Sequence, residues 1–250
     1  NHTELFLKRI GADIKIKKLK KGNLISIRGQ KNLHAFDYTV SSDPSSAAFL
    51  VALTLLTPKS KITIHNCLLN KTRFGFYKVL KEKARANIKI KNLRKSPSGE
   101  LVGSIIAESS SLKPVNCSKE LIPSLIDELP LMFVLSALTK GTSKFNSIAE
   151  LANKESSRAV EMKKILTQAG IKCKNTREKM TIYGKDKIET QKKYILVKTK
   201  GDHRICMSAA ILALATGIKT KIDNFETDTS FPNFLQILTK LGGQYNVKES

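Results

Sequence analysis

Two hydrophobic patterns alternate along this chain. In the first, an amphipathic helical stretch ends at a small residue and passes into a strand-like alternation of apolar and polar positions. It occurs at residues 6–16, 79–90, 165–173 and 237–247, with Gly11, Gly170 and Gly242 standing where a left-handed helix cap is needed. In the second, a polar head opens onto a nearly all-apolar helical run, at residues 42–50, 126–133 and 201–208. Asp43, Asp127 and Asp202 occupy helix-capping positions in those heads, and Pro44 and Pro130 suit a first helical turn. Short strands are expected after the apolar runs, at 61–64, 142–145 and 220–222.

A helix that is apolar on all sides must be buried on all sides. Three of them predict an α/β architecture with central helices in pseudo-threefold packing and sheets outside. The repeating unit, helix–strand–helix–strands, recurs at roughly 75 to 85 residues. Three units are nearly complete, and the chain opens on the second half of a fourth. It is therefore expected to be the C-terminal part of a longer protein.

Composition narrows the classes. Hydrophobic residues make up 41% of the 250, enough for a substantial core. The longest apolar run, 205–215, has the length of a buried helix rather than a membrane span, so no membrane partner is expected. Four cysteines, Cys67, Cys117, Cys173 and Cys206, share no metal-ligand spacing and read as reduced thiols of a cytoplasmic protein. The net charge of +23 is mostly lysine and is scattered along the chain, while aromatics are only 6% with no Trp. That favours a solvated basic surface over a nucleic-acid partner, whose binding would need basic runs interleaved with stacking rings. A basic nucleic-acid-binding module remains the alternative of another class, and steeply salt-dependent oligonucleotide binding would reveal it.

Converging helix N-termini would make one face of the domain attractive to anions. Around those heads lie Asp127, Glu128, His203 and Arg204, with Lys154, Glu155 and Arg158 in an adjoining segment. Carboxylates beside Arg and Lys suit proton transfer on a substrate bearing phosphate or carboxylate. Judged locally, each residue also has a plainer reading. Asp127 and Asp202 could be caps, Glu155 and Arg158 a helix-surface ion pair, and His203 a structural hydrogen-bonding residue.

Six ordered motifs favour the chemical reading. They are Asp-Pro-Ser-Ser-Ala at 43–47, Asn-x-Thr-Arg-x-Gly at 70–75 and Ile-Asp-Glu-x-Pro at 126–130. Lys-Glu-Ser-x-Arg at 154–158, Asp-His-Arg-x-x-Met at 202–207 and Thr-Ser-Phe-Pro at 229–232 follow. Together with His2-Thr3-Glu4 they resemble the 5-enolpyruvylshikimate-3-phosphate synthases, in order and spacing, over essentially the whole chain. The resemblance implies an enolpyruvyl-transferase fold of two domains, each of three βαβαββ units. Residues 1–41 would finish one domain, largely missing here, and 42–250 would form most of the other. It also implies a cytoplasmic enzyme, monomeric at full length, that needs no metal or organic cofactor. Its substrates would be phosphoenolpyruvate and shikimate 3-phosphate. Enolpyruvyl transfer to the 5-hydroxyl would release phosphate.

By position, the resemblance makes Asp127 the base for that hydroxyl and Glu155 the proton carrier at the methylene carbon. Arg158 and Arg204 would hold phosphoenolpyruvate, His203 would line its side of the site, and Lys154 would reach shikimate 3-phosphate. The family's N-terminal phosphate-binding segments have no counterpart here, so the chain alone is expected not to turn over. Ser157 stands where the family usually has Asp, which is expected to loosen Arg158; Thr229 and Ser230 stand where some members carry a Lys. A UDP-N-acetylglucosamine enolpyruvyl transferase shares fold and donor and is the nearest rival, with a catalytically dead paralogue as a third reading.

Overall fold

In the computed structural model, which describes residues 1–29 and 32–247, the two sequence patterns become two kinds of helix. The apolar runs form α2 (Pro44–Leu56), α4 (Leu129–Ala137) and α6 (His203–Thr216), and each packs against the other two. All nine residues of α4 are buried, as are residues 205–212 of α6. At roughly 1.5–3 kcal/mol per fully buried large apolar side chain, this shared centre dominates the stability of the fold.

The amphipathic helices lie outside: α1 (His2–Arg9), α3 (Gly75–Glu82), α5 (Arg158–Gln168) and α7 (Phe234–Lys240). Three of them pass into the expected strands, β1 (Asp13–Lys18), β4 (Asn87–Lys95) and β8 (Lys172–Asn175). Left-handed residues make those turns, Gly11 (φ 96°) after α1 and Gly170 (φ 82°) after α5. Where no glycine is available, Arg85 takes φ 56° after α3.

The fourth strand expectation fails. Gly242 (φ 89°) ends α7 as read, yet residues 243–247 form no strand, with Tyr245 and Val247 45% and 72% exposed. Alternation supplies a face, but a strand also needs a strand to pair with, and no described strand pairs with this segment.

The remaining strands are β2 (Asn23–Arg28), β3 (Lys61–Leu68), β5 (Leu101–Glu108), β6 (Asn116–Cys117), β7 (Gly141–Asn146), β9 (Lys179–Gly184), β10 (Ile195–Lys198) and β11 (Thr220–Asp223). They build sheets of order β3-β5-β4, β6-β7-β9-β8 and β10-β11, plus the β1-β2 hairpin. β6 pairs parallel with β7 around α4, and β10 with β11 around α6. An isolated parallel bridge, Ser42 to Cys67, repeats the plan around α2. Each central helix is thus the crossover of a βαβ connection, which sets all three N-termini at the ends of their leading strands. The middle unit shows the whole βαβαββ sequence, from β6 to β9.

Ahead of Ser42 no described residue is buried. A small aromatic group, Phe6, Phe36 and Tyr38, with centroids 5.6–5.8 Å apart, instead packs α1 against the segment after the β1-β2 hairpin. One face of the hairpin, carrying Ile14, Ile16, Ile25 and Ile27 in paired register, is largely open.

Candidate active site

The polar heads of the three central helices meet on one side of the core. Asp43 caps α2, accepting from the Ser45 and Ser46 backbone N–H groups at 3.2 and 2.8 Å. Asp202 caps α6, accepting from the N–H groups of Arg204 and Ile205 at 3.0 and 3.4 Å. Asp127 does not cap α4. The chain makes a 3-10 turn over Ile126–Glu128, so the capping position falls on Glu128, and the Asp127 carboxylate turns outward among cations.

Four basic side chains surround it. Arg73 donates from Nη1 to Asp127 Oδ2 at 2.8 Å, while Arg158 Nη1 and Lys154 Nζ each lie 3.3 Å from Oδ1. Arg204 donates from Nη1 to the Asp127 carbonyl at 3.2 Å. Burial works against ionisation of this carboxyl, but the Arg73 hydrogen bond and the charges of Arg204 and Lys154 outweigh it. Asp127 is held well below the usual carboxylate range. Its neighbour Glu128 is pushed the other way, upward, by burial against the opposing influence of Ser45, Arg204 and Arg73. Glu128 Oε1 lies 3.5 Å from Arg204 Nη1 and accepts no hydrogen bond. Two adjacent carboxyls therefore have contrasting proton affinities, the pattern that environment creates at acid–base sites.

Arg158 is the hub beneath. Only 1% exposed, it donates from Nε to Asp202 Oδ2 at 2.9 Å and from Nη2 to Glu155 Oε2, besides its contact with Asp127. Asp202 also accepts from Ser156 Oγ at 2.8 Å and is fully buried. Burial would raise the Asp202 carboxyl, but Arg158 outweighs it and the group stays lowered. His203, half-buried at the start of α6, is pushed below its ordinary value by burial and then by Arg204, so its imidazole is neutral at pH 7. A separate cavity of about 310 Å³, lined among others by Leu55, Leu56, Ser110 and Leu138, lies at the far ends of α2 and α4.

A family model for EPSP synthase (3-phosphoshikimate 1-carboxyvinyltransferase) matches residues 1–238. The chain belongs to the EPSP synthase family. It is 37% identical over 243 residues to a 3-phosphoshikimate 1-carboxyvinyltransferase of Acidiphilium cryptum, covering 97% of this chain and 53% of that protein. A protein of the same name from Caldicellulosiruptor saccharolyticus is 39% identical over 240 residues, covering 95% and 54%. The solved EPSP synthase of Acinetobacter baumannii superposes with a TM-score of 0.85 at 31% identity, over 96% of this chain and 54% of that one. The enolpyruvyl transferase NikO of Streptomyces tendae shares the fold, with a TM-score of 0.65 at 16% identity. The chain spans about half the length of the curated relatives it matches.

Within this EPSP synthase framework all six predicted residues come together. Asp127, Lys154, Glu155, Arg158 and Arg204 join one ion-pair network with Asp202, and His203 lies beside it. The plain readings fare unevenly. Asp202 is a cap, but it is also the buried counter-ion of Arg158. Glu155 and Arg158 do pair, yet Glu155 precedes α5 and Arg158 is interior, so theirs is no helix-surface pair. Ser157 makes no side-chain cap bond, and Arg158 is fixed by three carboxylates regardless.

Sequence reasoning assigned no role to Arg73, Ser45 or the charge-bearing side of Asp202. Arg73 stood in a quoted motif; an arginine in a tight polar loop directly before a helix was the signal available. Burial pushes Cys67 and Cys206 up to about 12, and Cys117 and Cys173 up to about 11, and all four are free. Raised thiols are poor nucleophiles, which argues against a nucleophilic role for any of the four. Among the described residues no helix is long and apolar enough to cross a membrane.

Proposed function

We propose that the full-length protein carrying this segment is a 3-phosphoshikimate 1-carboxyvinyltransferase. It would transfer the enolpyruvyl group of phosphoenolpyruvate to the 5-hydroxyl of shikimate 3-phosphate and release inorganic phosphate. One observation carries the reading: a depressed carboxylate, Asp127, ringed by Arg73, Lys154, Arg158 and Arg204 where three helix N-termini meet, in a chain of this family.

The chemistry balances on these residues. The 5-hydroxyl oxygen bonds to C2 of phosphoenolpyruvate as its proton passes to Asp127 and the methylene carbon takes a proton from Glu155. The tetrahedral adduct then loses phosphate from C2, the leaving oxygen taking up the proton that Asp127 had accepted, and Glu155 recovers a proton from the methyl group, restoring the double bond. Glu155 suits that part because its carboxylate is 47% exposed, within reach of a bound ligand. Arg204, anchored through Nη1 alone, presents the rest of its guanidinium to the carboxylate or phosphate of phosphoenolpyruvate. Arg158 would join it only by exchanging a bond to Asp127 or Glu155 for one to substrate. Neutral His203 lines the phosphoenolpyruvate side, and Lys154, 25% exposed, reaches shikimate 3-phosphate.

We further assign residues 1–41 to a second lobe, on the ground that none of its described residues is buried in the core of 42–247. Because the chain spans about half the length of its relatives, the 250-residue chain alone is expected to give no turnover. The test is phosphate release by the full-length protein, with phosphoenolpyruvate, with and without shikimate 3-phosphate. Release should require shikimate 3-phosphate and fall by about 100- to 10,000-fold in Asp127→Ala. Release driven by UDP-N-acetylglucosamine instead would assign the rival transferase, and turnover by the isolated chain would sink the claim that a second lobe is needed.

A further inference from the structure

The motif Asn-x-Thr-Arg-x-Gly at 70–75 contributes no residue to the predicted site, yet its loop lies against Asp127. Asn70 folds the loop: its Oδ1 accepts from the Thr72 backbone N–H at 3.0 Å and from Thr72 Oγ1 at 2.8 Å. The Arg73 backbone N–H closes the turn on the Asn70 carbonyl at 3.0 Å. Gly75 lets the loop press on the segment that leads to Asp127. A Cβ there would fall 2.1 Å from Ser124 Oγ and 2.8 Å from the Ser124 carbonyl carbon. The loop is therefore fixed at both ends, and the side chain it presents between them is Arg73.

Arg73 uses its planar fork on two elements at once. Nη1 donates to Asp127 Oδ2 at 2.8 Å and Nη2 to Ser45 Oγ, in the first turn of α2, at 3.2 Å. We propose that Arg73 is a positioning residue for Asp127, tying the outer carboxylate oxygen to α2 and so setting the orientation and basicity of the base. This rests on the reading of Asp127 as the residue that takes the hydroxyl proton. An ammonium could meet either partner but lacks the rigid fork that holds both. Oδ1 is left facing Lys154 and Arg158, on the side where Glu155 stands.

Every element around Asp127 contributes charge. Arg73 comes from the 70–75 loop, with Asp43 of the α2 head near it. Lys154 comes from the segment before α5, Arg158 from α5 backed by Glu155 and Asp202, Arg204 from α6, and Glu128 from the adjacent position. Arg73 is the cation bonded to Oδ2, and it is 35% exposed, which leaves it able to move with the base.

The test uses the full-length protein carrying this segment, with kcat and kcat/KM for both substrates measured against pH. In Arg73→Gln, kcat should fall by about 10- to 100-fold with KM changed less than about 3-fold, as expected for an interaction lost in the transition state. Removing the cation lets Asp127 keep its proton to higher pH, so the acidic limb of the kcat/KM profile should move up by about one unit. Arg73→Lys should hold the limb in place but recover only part of kcat. A loss of activity with an unmoved limb would reduce Arg73 to a structural role and overturn the proposal. A KM raised about tenfold at constant kcat would also overturn it, making Arg73 a substrate ligand. Should the wild type show no release dependent on shikimate 3-phosphate, the reaction itself is misread. The carbon-13 titration of the Asp127 carboxyl in the 250-residue chain then decides separately. An upward shift in Arg73→Gln supports the tie, and an unchanged titration overturns it.

Discussion

Asp202 offers the sharpest energetic test, because a single carboxylate carries two jobs that substitution can separate. One oxygen caps α6 through the N–H groups of Arg204 and Ile205, and the other accepts from Ser156 Oγ and Arg158 Nε. Both Asp202 (0% exposed) and Arg158 (1% exposed) are out of water. Removing one partner of a buried ion pair costs about 3–5 kcal/mol, because the other charge stays buried. Arg158 keeps Asp127 and Glu155, so the lower end applies. Asn preserves a good cap, so Asp202→Asn should cost about 3 kcal/mol, and Asp202→Ala about 1 kcal/mol more for the lost cap. Urea denaturation of the 250-residue chain at pH 7, followed by far-UV circular dichroism, reads both. The pH dependence fixes the sign. The folded carboxyl lies below its unfolded value, so its stabilisation is complete above about pH 4 and is lost as pH falls through the folded pKa. The gap between wild type and Asp202→Asn should therefore close in acid. A cost within about 1 kcal/mol for Asn, independent of pH, would mean that Asp202 is a cap and nothing more.

Two further outcomes test the packing. A Cβ on Gly184, at the end of β9, would lie 2.0 Å from the Ser136 carbonyl oxygen and 2.2 Å from that of Thr139. Gly184→Ala should thus cost about 3 kcal/mol, whereas Gly22→Ala, which among the described residues meets nothing within 4 Å, should cost less, chiefly through its positive φ of 83°; equal thermal midpoints for the two would refute the close approach. The raised thiols should react slowly with a disulfide reagent at pH 8 in the folded chain, half-buried Cys173 first, and all four should react at once in urea. Rapid labelling of Cys67 or Cys206 in the folded chain would contradict their burial.

What the sequence disclosed was mostly local. Helix caps at Asp43 and Asp202 depend on the few residues that follow them, and both were readable. The same reasoning misplaced Asp127 by one position. Whether the chain enters α4 through a cap or a 3-10 turn depends on how Leu125 and Ile126 bury themselves, which no short motif encodes. The three all-apolar runs announced central helices because burial on every side leaves no room for a polar stripe. The partnership of Arg73 with Asp127, 54 positions apart, arises only when loop and helix head are brought together. Likewise Arg158 reads as a surface residue from its neighbours, and its burial follows from packing of α5 against α4 and α6. The strand at 243–247 was over-read because alternation describes one chain, while pairing needs two.

The overall charge of +23 does not describe the site. Around Asp127 the structure sets four cations, Arg73, Lys154, Arg158 and Arg204, against four carboxyls, Asp127, Glu128, Glu155 and Asp202. The cluster is close to neutral, and the excess lysine lies elsewhere, along exposed positions such as Lys15, Lys17, Lys89 and Lys91. A nearly neutral cluster would attract the proposed polyanionic substrates weakly at long range, and the surrounding basic surface would supply that attraction instead. In the proposed reaction, the cations would bind an anion by partly exchanging carboxylate partners for substrate oxygens. Each exchange would relieve Asp127 of a positive neighbour and raise its affinity for a proton. On the proposed reading, Lys154 and Arg204 would turn toward the arriving substrate anions while Arg73 keeps Asp127 oriented, so the base would gain proton affinity without losing its position. Added salt should therefore raise KM by screening the lysine-rich surface while leaving kcat nearly unchanged, because the contacts within the cluster are partly buried. A fall in kcat parallel to the rise in KM would show instead that exposed charges take part in the chemical step.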